Sequence, residues 1–170
     1  MMGVLCALSA ALTLHVALAA NGAASDGKTA RADSIVIGGA VEHPRVLTLA
    51  DLQREPVTTE TVSLKTGKGV LRGSYTGVLL WTLLQQAVIK VSGAKNDVIR
   101  HTVVVASGDG YATVLSAAEI DPQFGGERAI IAYAKDGQPL TDKRGFARLI
   151  LPADQEAARA ISGVASITVQ

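Results

Sequence analysis

The chain has 170 residues, with 16 basic and 15 acidic side chains and a formal net charge of +1. That balance, with no long basic run, excludes the concentrated positive face on which nucleic-acid binding depends. The length suits one domain with a sizeable core, and the single cysteine, Cys6, excludes an internal disulfide framework.

Residues 1–20 read MMGVLCALSAALTLHVALAA and contain no Lys, Arg, Asp or Glu. The apolar run ends in Ala17, Leu18, Ala19 and Ala20, and small side chains at such spacing are what signal peptidase reads. We read residues 1–20 as a signal peptide and the protein as periplasmic or secreted. The competing reading is a retained anchor, because the run approaches the ~17–25 residues of a spanning helix. Residues 21–34, NGAASDGKTARADS, are small, polar and unpatterned, which predicts a flexible leader. The folded domain is then residues 35–170. It holds no later span-length apolar stretch, and without Cys6 it has no thiolate.

In chain order, residues 35–41 (IVIGGAV) predict a strand entering a glycine turn. Thr48 is placed to cap a short helix that Pro56 stops. Residues 57–65 (VTTETVSLK) alternate, with Val62 and Leu64 facing the core. Residues 79–87 predict the clearest helix, with Leu80, Leu83, Leu84 and Ala87 on one face and Trp81 beside it. Residues 98–106 predict a strand, and Ser107-Gly108-Asp109-Gly110 a turn into a returning strand at 111–115. Ser116 and Glu119 have capping-box spacing ahead of another short helix. Strands follow at 129–134, 148–151 and 164–169, with a tight turn at Asp136-Gly137 and short helical character at 153–161. Roughly seven strands with short helices between them predict an α+β domain, a sandwich or partly closed barrel, and disfavour a doubly wound sheet.

Chemistry-bearing constellations are few. His43 and His101 stand outside any metal-binding cluster, so no native metal site is expected from them. There is no nucleophile elbow and no phosphate-binding glycine loop. Ser107 and Asp109 read first as side chains that satisfy their own turn. Residues 136–148 (DGQPLTDKRGFAR) bring basic side chains and glycines into a loop before a strand. Arg144 and Arg148 there either hold an anion together with backbone N–H groups or pin the loop, Arg148 pairing with Asp109 or Asp142. Tyr75, Trp81 and Tyr111 either bound the core or line a groove.

These motifs together resemble the sulfite-oxidase-type molybdopterin-binding oxidoreductase domain, in a small exported form. The residues that carry the resemblance are Gly39, Val41 and Pro44; Leu47, Thr48, Leu49, Asp51 and Leu52; Gly73, Tyr75, Gly77, Val78, Leu80 and Trp81; Ser107, Asp109, Gly110, Tyr111 and Leu115; Gly137, Pro139 and Leu140; and Gly145, Arg148, Leu149, Ile150 and Pro152. The resemblance implies a mixed α+β fold of coiled β-structure. It also implies, for catalytic members, molybdenum held by a pterin dithiolene and one protein cysteine, with oxygen-atom transfer as the chemistry. That cysteine precedes the glycine–aromatic–glycine segment matched by Gly73, Tyr75 and Gly77. This chain reads Ser63-Leu64-Lys65-Thr66-Gly67 there, and a hydroxyl does not replace a soft thiolate donor.

Three readings follow. The first is a non-catalytic, cofactor-free exported domain that binds a small anionic ligand or a periplasmic protein partner at Tyr75, Asp109, Tyr111, Arg144 and Arg148. The second is a molybdopterin-dependent oxidoreductase, with Arg144 and Arg148 on the pterin phosphate and Tyr111 near the substrate. The third is a structural or assembly module. Whether the domain is an enzyme stays open at this level.

Overall fold

The computed structural model describes residues 32–141, 143 and 145–170. The expected signal peptide, most of the leader, Asp142 and Arg144 lie outside them. The strands are β1 (Ile35–Gly39), β2 (Arg45–Leu47), β3 (Thr58–Thr66), β4 (Gly69–Leu79), β5 (Thr102–Ser107), β6 (Ala112–Ser116), β7 (Ile130–Lys135), β8 (Gln138–Pro139), β9 (Arg148–Ile150) and β10 (Val164–Val169). The helices are α1 (Leu49–Leu52), α2 (Leu80–Ala87) and α3 (Ala117–Ile120), with 3₁₀ turns at Val98–Arg100 and Ala157–Arg159.

Among the described residues two five-stranded sheets form, and neither closes into a barrel. The first has the order β2-β1-β10-β5-β6. Its first and last strands in the chain, β1 and β10, pair in parallel, so these two strands lie side by side within the sheet. The second has the order β3-β4-β7-β8, with β9 also paired to β7. This is the mixed α+β architecture with short helices that the strand-rich sequence predicts.

Period-two burial builds the first sheet. Ile35, Ile37, Leu47, Val103, Val105, Leu115, Ile167 and Val169 point inward and are buried. They meet α2, whose Leu80, Leu83, Leu84 and Ala87 form the predicted face. A second core, of Val62, Leu64, Tyr75, Ile130, Ala132 and Ile150, lies within the other sheet.

Thr48 caps α1 in a full capping box with Asp51. Its hydroxyl and backbone hydrogen bonds hold the Asp51 carboxyl below the usual range. Ser116 does cap α3, accepting from the Ala118 N–H at 3.2 Å. The box with Glu119 does not close, because Glu119 instead accepts from Arg159 at 2.9 Å.

Residues 98–100 depart from the predicted strand and wind into a 3₁₀ turn. Thr102 is the first β5 residue and has partners on both sides, Ser116 on β6 and the backbone of Gln170. Upstream of it β6 has turned into α3, whose Ala117 N–H donates to the His101 carbonyl, and the chain closes local hydrogen bonds from Arg100 to Asp97 and from His101 to Val98. Gly73 and Gly77, in contrast, do not interrupt β4. At Gly77 a Cβ would overlap the Ile131 carbonyl, and at Gly73 it would meet the Lys135 side chain, so both glycines allow the close approach of β7. The domain reaches back to Ala32, which is buried and bridged to Gly145. Among the described residues no helix is long and apolar enough to cross a membrane.

Candidate functional site

The turn between β5 and β6 is built by its own side chains. The Ser107 hydroxyl donates to the Asp109 carboxylate, with the Tyr111 carbonyl 3.1 Å away as its other acceptor in reach, and the Tyr111 N–H donates to Asp109 at 3.3 Å. Ser107 is buried, whereas Tyr111 is 55 % exposed. The Tyr111 phenol reaches across to donate to the Ala158 carbonyl at 2.6 Å, which ties this turn to the 3₁₀ turn at Ala157–Arg159.

That 3₁₀ turn separates two cavities. The smaller, about 240 Å³, is lined by Ser107, Tyr111, Ala160, Ile161 and Ser162 together with Ala157 and Ala158. The larger, about 540 Å³, is lined by Lys65, Thr66, Gly67 and Glu156 and shares Ala157 and Ala158. A backbone hydrogen bond from Lys65 to Gln155, 2.9 Å, holds the β3–β4 hairpin against this segment.

Arg148 starts β9 and bridges to Ser162 through the backbone. Its guanidinium also donates to the Ser162 hydroxyl. Ser162 thus accepts from Arg148 and keeps its own hydrogen to donate. Ser107 has given its hydrogen to Asp109, and its oxygen keeps acceptor capacity. One cleft is therefore lined by two serines, one hydrogen-bonded to a cation and the other to an anion.

The sequence-predicted residues divide on this basis. Tyr111 lines the smaller cavity directly, and Asp109 and Arg148 stand behind its two serines. Arg144 lies outside the described residues. Tyr75 is elsewhere: it is fully buried in the second core, with the Lys135 ammonium 5.7 Å from its ring centroid. Among the described residues its hydroxyl has no hydrogen-bond partner. Ser162 and the Ala157–Ala158 backbone were not anticipated. A lone serine after an apolar residue carries no local signal, and only the β9 contact brings it to the cleft.

Arg159 anchors the far side of the 3₁₀ turn. It is bidentate to Asp154, at 2.5 and 3.0 Å, and reaches Glu119 at 2.9 Å. These hydrogen bonds raise its already high pKa. Burial pushes the nearby Glu127 carboxyl above its usual value, against the hydrogen bond it accepts from Ala153.

The donor set can be tested against a molybdenum centre. Thr66 donates to the Gly69 carbonyl at 3.0 Å and accepts from the Lys68 N–H at 3.1 Å. Ser63 accepts from Arg72 at 3.1 Å. Both hydroxyls of the Ser63–Gly67 segment are thus engaged within the β3–β4 hairpin, and neither is a soft ligand. Among the described residues no group of three His, Cys, Asp or Glu is placed to hold a metal ion. The described residues do not fit direct thiolate ligation of molybdenum.

No curated protein matches the sequence. Among solved structures, the chain is similar to the sulfane dehydrogenase SoxCD from Paracoccus pantotrophus, with a TM-score of 0.66 and 22 % identity. The match covers 80 % of this chain but only 37 % of that one, and at this identity it shows the fold. The family model described as the oxidoreductase molybdopterin binding domain matches residues 26–170. The chain belongs to the oxidoreductase molybdopterin binding domain family.

Proposed function

We propose that this protein is a non-catalytic, exported member of its family that binds a small anionic ligand in the cleft between Ser107 and Ser162. The observation that carries the reading is the hydroxyl pair. Ser162, polarised by Arg148, donates to an oxyanion or carboxylate oxygen, and Ser107 accepts from a ligand hydroxyl or acid proton. A cavity of about 240 Å³ lies below the usual volume of drug-sized sites, about 300–1,000 Å³, which favours a small hydroxy acid or inorganic oxyanion. Export rests on the apolar residues 1–20 with their small-residue end. A cofactor-free state rests on the hairpin that holds Thr66 and Ser63.

Calorimetric titration with lactate, acetate and sulfate tests the ligand. Binding by the wild type should weaken about tenfold or more in Arg148→Ala, for the loss of one charge-assisted contact. The melting temperature should change little. A large stability loss with no change in binding would assign Arg148 to the fold alone. N-terminal sequencing of the protein from its native host tests export, with cleavage expected after Ala19 or Ala20.

A second reading is favoured by one observation, the cavity of about 540 Å³ beside Lys65, Thr66 and Gly67. It would accept part of a pterin without supplying a metal ligand. Metal analysis and pterin fluorescence on protein from a molybdenum-replete native host separate the two readings. Stoichiometric molybdenum would replace the first with the second.

A further inference from the structure

Among the described strand residues, the outward face of the first sheet carries no charge. Val46 on β2, Val36 on β1, Ser166 and Thr168 on β10, Val104 on β5 and Val114 on β6 share this face by register. The other outward positions of these strands are Gly, Ala, Ser or Thr. Val36, Val46 and Val114 are 48 %, 63 % and 59 % exposed. An antiparallel sheet with one face in water ordinarily alternates apolar inside with polar or charged outside. The β3–β4 hairpin of the second sheet follows that rule: its outer face pairs Thr59 with Thr76 and Ser63 with Arg72. The first sheet departs from it from edge to edge.

We infer that this face is the interface of a homodimer, in which two copies stack sheet on sheet about a two-fold axis. A face without charge offers a charged partner no complementary group, while a second copy presents the same small β-branched surface, as a two-fold interface requires. The size fits a weak dimer. Five strands about 4.8 Å apart and about five residues long, at about 3.3 Å each, span about 24 by 17 Å. Two such faces remove on the order of 1,000 Å² from water, at the lower limit of specific interfaces. The β2 edge does not compete well: it has only three residues, so strand addition there gains few hydrogen bonds. The candidate cleft lies at the β5–β6 turn and not on this face, so the dimer would leave it open.

Sedimentation equilibrium of the protein purified from its native host, from about 1 µM to about 1 mM, tests the inference, because a weak dimer dissociates within this range. The expected result is a concentration-dependent monomer–dimer equilibrium in the wild type. Val46→Lys and Val114→Lys, each at an exposed position, should shift it at least tenfold toward monomer with unchanged circular dichroism. Two sites guard against one variant failing to fold. Sedimentation as a monomer at every concentration would overturn the proposal. So would a dimer that both folded lysine variants leave intact. Loss of ligand binding in the cleft has no bearing on this outcome.

Discussion

The Tyr111 phenol and the Ala158 carbonyl, 2.6 Å apart, join the β5–β6 turn to the 3₁₀ turn that divides the two cavities. The bond crosses 47 residues of sequence and replaces no helix or sheet contact. Both residues line the smaller cleft. Tyr111→Phe keeps the ring and removes the donor. The expected loss is about 0.5–1 kcal/mol, the lower part of the range for a net hydrogen bond, because the side chain is exposed. Chemical denaturation measures it. A wild-type midpoint in the variant would show that water replaces the bond at no cost.

Tyr75 presents the opposite case. Its hydroxyl is buried without a partner among the described residues, and such a group costs about 1–3 kcal/mol in desolvation. Tyr75→Phe should therefore match or exceed wild-type stability, by up to about 1 kcal/mol after the contacts of the lost oxygen are counted. A destabilised variant would reveal a bound water or ligand on the hydroxyl.

Val88 ends α2 with φ of 56°, a left-handed conformation that a β-branched residue adopts only under strain. Its backbone holds it there: its N–H donates to Leu84 at 2.9 Å and its carbonyl accepts from Glu42 at 2.8 Å. Val88→Gly keeps both bonds and relieves the strain. The side chain is 42 % exposed, so little burial is lost. Thermal unfolding should show a gain of about 0.5–1 kcal/mol, the strain of about 1–3 kcal/mol being partly offset by glycine's greater freedom in the unfolded chain. No gain, or a loss, would mean that the valine side chain contributes more than its exposure suggests.

Glu127 makes stability depend on pH. Burial raises its pKa in the folded state, with Asp154 and Glu119 adding to the effect. The folded protein then binds the proton more tightly than the unfolded chain, so this group's contribution falls as pH rises through the interval above the ordinary glutamate value. Glu127→Gln keeps an oxygen for the Ala153 N–H and removes the charge. The variant should melt above the wild type at neutral pH, and the two should converge in acid, where the glutamate is protonated. A difference that persists unchanged into acid would point to packing instead of charge.

Much of the fold was legible locally. The α2 face at Leu80, Leu83, Leu84 and Ala87 follows from a helical period, and the β5–β6 turn at residues 107–110 follows from Ser, Gly and Asp turn chemistry. Strand ends were less legible. Residues 98–100 have strand-forming side chains, yet they wind up where the β6 side has already turned into α3. The candidate site was half visible. Asp109, Tyr111 and Arg148 stand in motifs, while Ser162 is marked only by its register with Arg148.

What the sequence determined by itself is the chemistry on hand: one domain of strands, the family pattern, and no cysteine between Val41 and Gln170. Periodicity, turn residues and side-chain type are local properties, so they can be read without coordinates. The tertiary structure alone decided that Tyr75 belongs to a core and Ser162 to a cleft, and that the first and last strands lie in parallel within the sheet. Those placements depend on contacts between residues far apart in the chain, whose pairing is set by which buried faces fit together and not by the identity of any one residue.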